Sequence, residues 1–320
     1  MSEEFYSFKN SVLEISDPEL NLSIRENFSP AILPEKLEDG KELGGGHSLS
    51  LSYIDKNKQQ LDTAGILLNG FLSGNHRSFH LDGSVENDCY YYYDKESSSS
   101  LLHGPSTCYC ENGSVLSKVW FFYGKQVGKA RSYYPSGNLH SLHRYIDGVY
   151  HLKQEYYYDN TSLKTSMTFH KGKHHGECSL YYENGNMFRK IFYHMGNRHG
   201  LEKEWNEKGQ KIASRLYEMN ELKEELQWNS RNILIDERIF VEGTKRVNFK
   251  KWSKDGDLLI MGVHNKDRAT LRSWYLDGKL ELEFHGYWNG YKVCMDKLVT
   301  GNVSPEKAAR YLSWNFIEEK

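Results

Sequence analysis

The chain has 320 residues, 41 basic and 43 acidic side chains and a net charge of −2, and 14% of its residues are aromatic. This balance of charges argues against a general electrostatic attraction to nucleic acid or to an anionic membrane. The five cysteines have no regular spacing, which predicts reduced thiols in a cytoplasmic protein. The sequence has no run of about 18 apolar residues, so we expect no membrane-spanning helix.

Residues 1–46 show none of the periodicity that follows. Pro18, Pro30 and Pro34 interrupt this region, and a glycine triplet, residues 44–46, ends it. We therefore predict an N-terminal arm over residues 1–46 that is partly irregular or lies over the first hairpins of the next region.

Residues 47–226 contain a repeat, which is clear from residue 74 onward. The first residues of successive repeats lie 24 residues apart, except that the first interval is six residues longer: Gly74, Gly104, Gly128, Leu152, Gly176 and Gly200. We number each repeat from this residue, which is position 0. Position 5 is always aromatic: Phe79, Tyr109, Tyr133, Tyr157, Tyr181 and Trp205. Position 17 is too: Tyr91, Phe121, Tyr145, Phe169, Tyr193 and Tyr217. Two aromatic columns at a fixed period indicate a repeat architecture.

Each repeat carries two turn signals. Position 9 holds most of the turn glycines: Gly83, Gly113, Gly137, Gly185 and Gly209. Several follow Asn or Asp, and such dipeptides favour tight hairpins because both residues tolerate positive φ. A second glycine recurs near position 20, and runs of about seven to nine strand-forming residues lie between the turns. We predict one β-hairpin per repeat and a long antiparallel sheet, while the register stays open.

Residues 227–300 continue the pattern in a weaker form. Two stretches each contain an aromatic residue, a turn glycine (Gly256 or Gly278) and an apolar run. We predict degenerate β-hairpins of the same sheet.

Residues 301–320 differ from everything before them. Ser304 followed by Pro305 is a typical helix start, and the apolar residues that follow share one helical face: Ala308, Tyr311, Leu312 and Phe316. We predict a short C-terminal helix that caps the open sheet, and the alternative is a helix that docks a partner.

The stretch HHGECSLYYENGNMFRKIFYHMGNRHG, from His174 to Gly200, resembles the variant form of the MORN repeat (membrane occupation and recognition nexus). This variant is common in bacterial antitoxin components of toxin–antitoxin systems. The resemblance implies an all-β fold, an elongated single-layer antiparallel sheet of stacked hairpins. It says less about function, because MORN-type sheets serve as scaffolds, partner platforms and occasional lipid contacts. Leu152 and Thr161 depart from the pattern, since they replace both defining glycines of one repeat.

The sequence gives little support to a chemical site. Histidines precede position 0 in several repeats: His103, His151, His175 and His199. Hairpins follow one another at about 10 Å, which is too far for several imidazoles to share one metal ion. We interpret them as surface histidines and predict no metal site and no cofactor. Nucleophile, phosphate-binding and dinucleotide motifs are absent, so we predict no catalytic residues and no enzyme.

The aromatic columns are the best indication of function. They can pack on one another as ladders, and a face rich in tyrosine can also bind a protein. We predict four partner-binding residues: Tyr133, Tyr157, Tyr181 and Trp205. The hypothesis is a non-enzymatic, antitoxin-like or immunity-like protein that occludes a partner protein such as a toxin. The alternatives are a scaffold or accessory subunit of a larger assembly and a peripheral lipid-binding protein, which the charge balance disfavours.

Overall fold

The structure is a computed structural model that describes residues 4–300, except residues 56, 245, 265–267, 275–278 and 289–292. The chain divides into two compact units, residues 1–175 (unit 1) and residues 176–320 (unit 2). The predicted C-terminal helix, residues 301–320, lies outside the described residues.

The described residues of unit 1 form the following strands: β1 (Phe5–Lys9), β2 (Val12–Asp17), β3 (Leu22–Asn27), β4 (Glu42–Gly44), β5 (His47–Tyr53), β6 (Leu61–Leu68), β7 (Phe71–Phe79), β8 (Val85–Asp94), β9 (Ser99–Leu102), β10 (Gly104–Tyr109), β11 (Val115–Phe122), β12 (Lys125–Tyr133), β13 (Leu139–Ile146), β14 (Val149–Tyr150), β15 (Leu152–Tyr157) and β16 (Leu163–His170). The boundary between the units falls within β17 (Lys173–Tyr181). The strands of unit 2 are β18 (Met187–His194), β19 (Asn197–Arg198), β20 (Gly200–Trp205), β21 (Lys211–Glu218), β22 (Glu221–Trp228), β23 (Leu234–Phe240), β24 (Val247–Trp252), β25 (Leu258–His264), β26 (Arg268–Trp274), β27 (Leu280–Trp288) and β28 (Val293–Thr300).

Within each unit, strands joined by a hairpin turn pair antiparallel, which confirms the all-β prediction and the sheet of hairpins. The register is shared by the regular repeats. Position 0 pairs with position 17 and position 2 with position 15, as in Gly176 with Tyr193 and Cys178 with Ile191. A β-bulge then shifts the pairing, so that Tyr181 at position 5 lies opposite Met187 at position 11.

This register assigns the side chains to two faces, because successive residues of a strand point to opposite sides of the sheet. Positions 1, 3 and 5 share one side with positions 14 and 16, and we call it the front face. Positions 2 and 4 share the back face with positions 13, 15 and 17. In β17 and β18, for example, the front-face pairs are Glu177 with Phe192 and Ser179 with Lys190.

The glycine at position 9 lies in a three-residue loop, not in a two-residue turn. The N–H of Gly113 donates to the carbonyl of Cys110 (2.9 Å), and the N–H of Cys110 donates to the carbonyl of Ser114 (2.8 Å). Only the glycine has positive φ, at 78°, as in a type I turn followed by a G1 bulge. The preceding Asn112 instead accepts the N–H of Ser114 on its side chain (2.9 Å), so it acts as an Asx turn. The dipeptide therefore marks the hairpin turn, as predicted, but only its glycine adopts a positive φ.

Two-residue loops occur at the second turn, at positions 19 and 20. Tyr123 and Gly124 have φ of 48° and 79°, and Asp147 and Gly148 have φ of 52° and 80°. Two consecutive residues of positive φ are the mark of the type I′ turn, whose twist matches that of the strands.

The repeat without its two glycines keeps the backbone of its neighbours. Leu152 at position 0 has φ of 57° and Thr161 at position 9 has φ of 71°. The glycines Gly128 and Gly185 at the same two positions of other repeats have φ of 70° and 86°. A side chain in this region costs about 1–2 kcal/mol, and a β-branched residue is a clear outlier there. The hydrogen-bonded neighbours therefore impose a strained backbone on this repeat.

Residues 5–27 form a separate three-stranded antiparallel sheet, β1-β2-β3, which packs on the front face of unit 1. Leu13 and Ile15 are buried against Trp120 and Val127. The single-layer part of the predicted fold class is therefore wrong for unit 1. The physical reason is that β1 and β2 alternate apolar and polar residues and so have an apolar face of their own to bury.

The cover on unit 1 is close and extends beyond the small sheet. A Cβ atom on Gly128 would lie 2.5 Å from the Tyr6 ring, so only glycine fits beneath β1. Further along, Leu33 of the connecting segment packs with Leu49 and Ile66 of the first hairpins.

The back face of unit 1 is packed by its own rings. Tyr145 and Phe169, both at position 17, are buried, and the Tyr150 ring lies 5.0 Å from the first and 5.2 Å from the second. These contacts form a self-packing aromatic ladder.

Candidate partner-binding surface

The four aromatic residues predicted to bind a partner lie on the front face and are half-buried. Tyr133 and Tyr157 belong to unit 1, and Tyr181 and Trp205 belong to unit 2. Each lies at the end of a strand, opposite the residue at position 11 and beside the three-residue loop. Successive members within a unit are two strands apart, about 10 Å. The structure therefore arranges them as rows, not as one cluster.

The tyrosines at position 6 hold these rows in place. The Tyr134 hydroxyl donates to the carbonyl of Tyr157 (2.8 Å), and the Tyr182 hydroxyl donates to the carbonyl of Trp205 (3.0 Å). Each bond ties one hairpin to the position-5 residue of the next. The recurring Tyr-Tyr pair thus has two roles: the first ring faces the surface and the second fixes the spacing. Sequence reasoning missed the second role, although the repeated tyrosine at position 6 was its signal.

In unit 1 the front face carries a buried cluster of ion pairs beneath the N-terminal sheet. The Lys129 ammonium lies 2.9 Å from Glu19 and 3.3 Å from Asp17, which is fully buried. The Tyr6 hydroxyl donates to Asp17 (2.5 Å) and accepts the backbone N–H of Lys129 (2.8 Å). Nearby, Arg144 meets Glu19 at 2.8 Å. These contacts tie the small sheet to the repeats by charge as well as by apolar packing.

The cluster shifts the protonation of its members in favour of the charged forms. Burial by itself would lower the pKa of Lys129, but hydrogen bonds to Glu4 and Glu19 outweigh it and raise that pKa. Burial would likewise raise the pKa of Glu4, but Lys129 and Arg131 lower it. The site is therefore charged and internally neutralised.

His103, one of the predicted surface histidines, is buried under the N-terminal sheet, so that prediction is wrong for this residue. The Phe28 ring lies 4.4 Å from its ring. Its Nδ1 accepts the N–H of Tyr123 (3.2 Å), which leaves the proton on Nε2, 3.4 Å from Glu26. Burial lowers the pKa of His103, against the opposing charge of Glu26.

In unit 2 the front face presents apolar side chains to solvent. Phe192, Leu201, Leu216 and Ile239 are each 37–40% exposed. Leu201 and Leu216 are direct cross-strand neighbours. Leu216 of β21 also pairs with Glu224 of β22, which in turn pairs with Ile239 of β23. These residues form a row across the sheet, on the same face as Tyr181 and Trp205.

The back face of unit 2 carries a network of ion pairs. Glu202 is buried, and its carboxylate meets Arg189 at 2.5 Å and Arg215 at 3.1 Å. Arg215 also reaches Glu204 (2.9 Å) and Glu225 (2.8 Å). Hydrogen bonds to Glu204 and Glu225 raise the pKa of Arg215 in spite of its burial. This network occupies the charged groups of the back face with one another, whereas the exposed apolar row Phe192, Leu201, Leu216 and Ile239 lies on the front face.

The remaining chemical groups lie apart from one another or are buried. In the part of the chain that the structure describes, no three His, Cys, Asp or Glu side chains are placed to hold a metal ion. The pKa of Cys89 is raised to about 12 and that of Cys178 to about 11, in both cases mainly by burial. Both thiols are therefore protonated at neutral pH and are weak nucleophiles. Among the described residues, no helix has the length and apolar character to cross a membrane.

Comparison with known proteins supports the repeat assignment. The family model of the MORN repeat variant matches residues 126–147 and 175–195. The chain carries MORN-variant repeats. Repeats of this family generally serve as binding modules.

Other comparisons add little. No curated protein matches the chain. A solved structure titled "Crystal Structure of TcdB2-TccC3" is similar over 79% of this chain and 20% of its own, with 10% identity and a TM-score of 0.17. The chain thus spans about a fifth of that protein, and the TM-score is too low to relate the two folds.

Proposed function

We propose that the chain is a non-enzymatic repeat protein that binds another protein through the front face of its sheet and occludes the surface that it covers. The observation that carries the proposal is the exposed apolar row of unit 2, Phe192, Leu201, Leu216 and Ile239. An apolar centre surrounded by charged residues, on a sheet that needs no rearrangement, has the anatomy of a protein interface.

The position-5 residues supply the anchors of this interface. Tyr181 and Trp205 lie on the same face as the apolar row, beside Lys190 and Lys203. Large rings of this kind supply most of the binding energy at protein interfaces. Charged neighbours select among partners by attraction and repulsion.

The antitoxin-like or immunity-like role is the more specific form of the proposal. The MORN-variant repeats support it by resemblance, and occlusion of a toxin requires only a rigid complementary surface and no catalytic group. A scaffold or accessory subunit would use the same face but would be found in an assembly of several proteins.

The test is purification of the tagged chain from its native host at endogenous expression, with bound proteins identified by mass spectrometry. Trp205→Ala removes one anchor, and Leu180→Ala, on the back face of β17, is the matched control. We expect one stoichiometric protein with the wild type and with Leu180→Ala, and at least about tenfold less of it with Trp205→Ala. The proposal fails if no protein co-purifies or if both variants retain it equally, with circular dichroism showing that each is folded.

A further inference from the structure

Unit 1 contains a filled site of the kind that the proposed function requires in unit 2. Two cations at positions 14 and 3 of adjacent repeats, Lys118 and Arg131, lie directly opposite each other. Next to them, Trp120 at position 16 is only 3% exposed. Glu4, the residue before β1, meets Arg131 at 2.9 Å, and the ring of Tyr6 in β1 lies 5.7 Å from the ring of Trp120. One short segment thus supplies a carboxylate to the cations and, two residues later, a ring to the aromatic residue.

Unit 2 repeats this arrangement at the same repeat positions. Lys190 at position 14 lies directly opposite Lys203 at position 3, and Phe192 at position 16 follows. Like charges placed opposite each other destabilise a sheet unless a counter-charge is present. Lys190 meets Glu177 at 2.6 Å, whereas Lys203 makes no ion pair with the residues that the structure describes. Phe192 is 37% exposed. The charge of Lys203 and the ring of Phe192 are therefore both available to a ligand.

The hairpin β1–β2 shows what chemistry fills such a site. Alternate residues of this segment face the repeats. The carboxylates lie at the open end of the hairpin and the aromatic and aliphatic side chains lie toward its turn: Glu4, Tyr6, Phe8, Leu13, Ile15 and Asp17. Two other cations of the filled site, Lys129 and Arg144, have no counterpart in unit 2. Leu201 occupies the repeat position of Lys129, and Leu216 occupies the repeat position of Arg144. A ligand for unit 2 therefore needs one carboxylate and a larger apolar side.

We infer that the front face of unit 2 binds a β-hairpin of a partner protein. The inward side of that hairpin presents a carboxylate to Lys203 and, at alternating positions, aromatic or aliphatic side chains to Phe192, Leu201 and Leu216. This inference rests on the proposed function and names its recognition element. The N-terminal hairpin of the chain is the intramolecular counterpart of that element.

The test uses a defined probe on the full-length chain. The probe is a synthetic peptide with the sequence of residues 4–17, which contain β1, β2 and the preceding Glu4. Binding is followed by the methyl NMR signals of Leu201 and Leu216. We expect saturable shifts of both residues. Lys203→Glu should weaken binding at least about tenfold, and so should a probe with Glu4→Lys and Asp17→Lys. The control Lys208→Glu makes the same charge change on an exposed loop and should leave affinity within about twofold.

Several results would overturn the inference. They are no saturable binding up to about 1 mM peptide, equal binding of the charge-reversed probe, or shifts confined to unit 1. Vesicles of phosphatidylserine that displace the peptide would identify an anionic lipid as the ligand instead. A tenfold gain in affinity with Phe316→Ser would show that the C-terminal residues of the chain occupy the face.

The two proposals can fail separately. If the peptide does not bind but a native partner is still lost with Trp205→Ala, only the recognition chemistry inferred here is wrong. If the peptide binds and no native partner co-purifies, the proposed function is wrong.

Discussion

Units 1 and 2 are built from the same repeat, yet their front faces differ in what they carry. At position 16, Trp120 of unit 1 is buried and Phe192 of unit 2 is exposed. At position 1, Lys129 of unit 1 lies in a buried ion cluster, whereas unit 2 has the exposed Leu201. A buried charge that loses its partner costs several kcal/mol, so charged residues suit a face whose cover belongs to the chain. Apolar and tyrosine side chains tolerate water and suit a face whose ligand comes and goes.

The largest expected effect is the loss of Lys129. Its removal in Lys129→Ala leaves the fully buried Asp17 without its cation, and we expect the free energy of unfolding to fall by about 3–5 kcal/mol. The matched change in unit 2, Lys203→Ala, removes a cation that makes no ion pair with the described residues and should change stability by less than about 0.5 kcal/mol. Urea denaturation followed by circular dichroism measures both. Equal effects would break the contrast between a covered and an open face.

The strained repeat of unit 1 gives the next effect. Thr161→Gly relieves a positive φ at an exposed site and should stabilise the protein by about 1 kcal/mol. The reverse change in unit 2, Gly185→Thr, should cost about 1–2 kcal/mol through the backbone alone, because a Cβ there meets no atom within 4 Å. Thermal denaturation of the two variants measures the signs, and a destabilising Thr161→Gly would contradict the account.

Acidification should weaken unit 1 through His103. Its folded pKa lies below the ordinary value because of burial, so the unfolded chain binds more protons as the pH falls below about 6.5. Stability contributed by neutral His103 is present above that pH and is lost progressively as the pH falls from 6.5 toward the lower folded pKa.

Urea denaturation at pH 7.5 and 5.5 compares the wild type with His103→Gln. The variant should lose less stability between the two pH values, whatever its stability at pH 7.5. An unchanged pH dependence would show that His103 is not held neutral beneath the N-terminal sheet.

The smallest expected effect is common to both units. Tyr134→Phe and Tyr182→Phe each remove one hydroxyl that bonds a carbonyl of the next hairpin, at a cost of about 0.5–1 kcal/mol. Because this contact is independent of any cover on the front face, the two variants should behave alike in urea denaturation. A large cost in only one unit would mean that the repeats are not joined in the same way.

Local signals explain how much of the fold is predictable from the sequence. Each hairpin carries its own turn glycines and aromatic columns, so the strands and their order follow from residues such as Gly113 and Tyr133. The loop types do not follow in the same way, because the bulge opposite positions 4 and 5 adds a residue at position 12 that only the pairing reveals. Asn112 predicts a turn and leaves its length undecided.

An arm over the first hairpins was one of two predictions for residues 1–46, but the sequence did not indicate which residues such an arm would bury. The alternation in Phe5–Lys9 and Val12–Asp17 was visible as a strand signal, but the face that these strands bury against lies more than 100 residues along the chain. The same column contains buried His103 and half-buried His151, and their own repeats do not distinguish them. A position is buried or exposed according to whether the N-terminal sheet covers it, and the sequence of the repeat does not record this. The four predicted partner-binding residues remain a prediction for the same reason.

Hydroxyl-radical footprinting of the full-length chain, read by mass spectrometry, tests this contrast most directly. We expect rapid oxidation of Phe192, Leu201 and Leu216 in unit 2 and protection of Trp120, although tryptophan is the more reactive residue when exposed. Protection of the three unit 2 residues to the same degree as Trp120 would contradict it, because the front face of unit 2 would then be covered and unable to bind a partner.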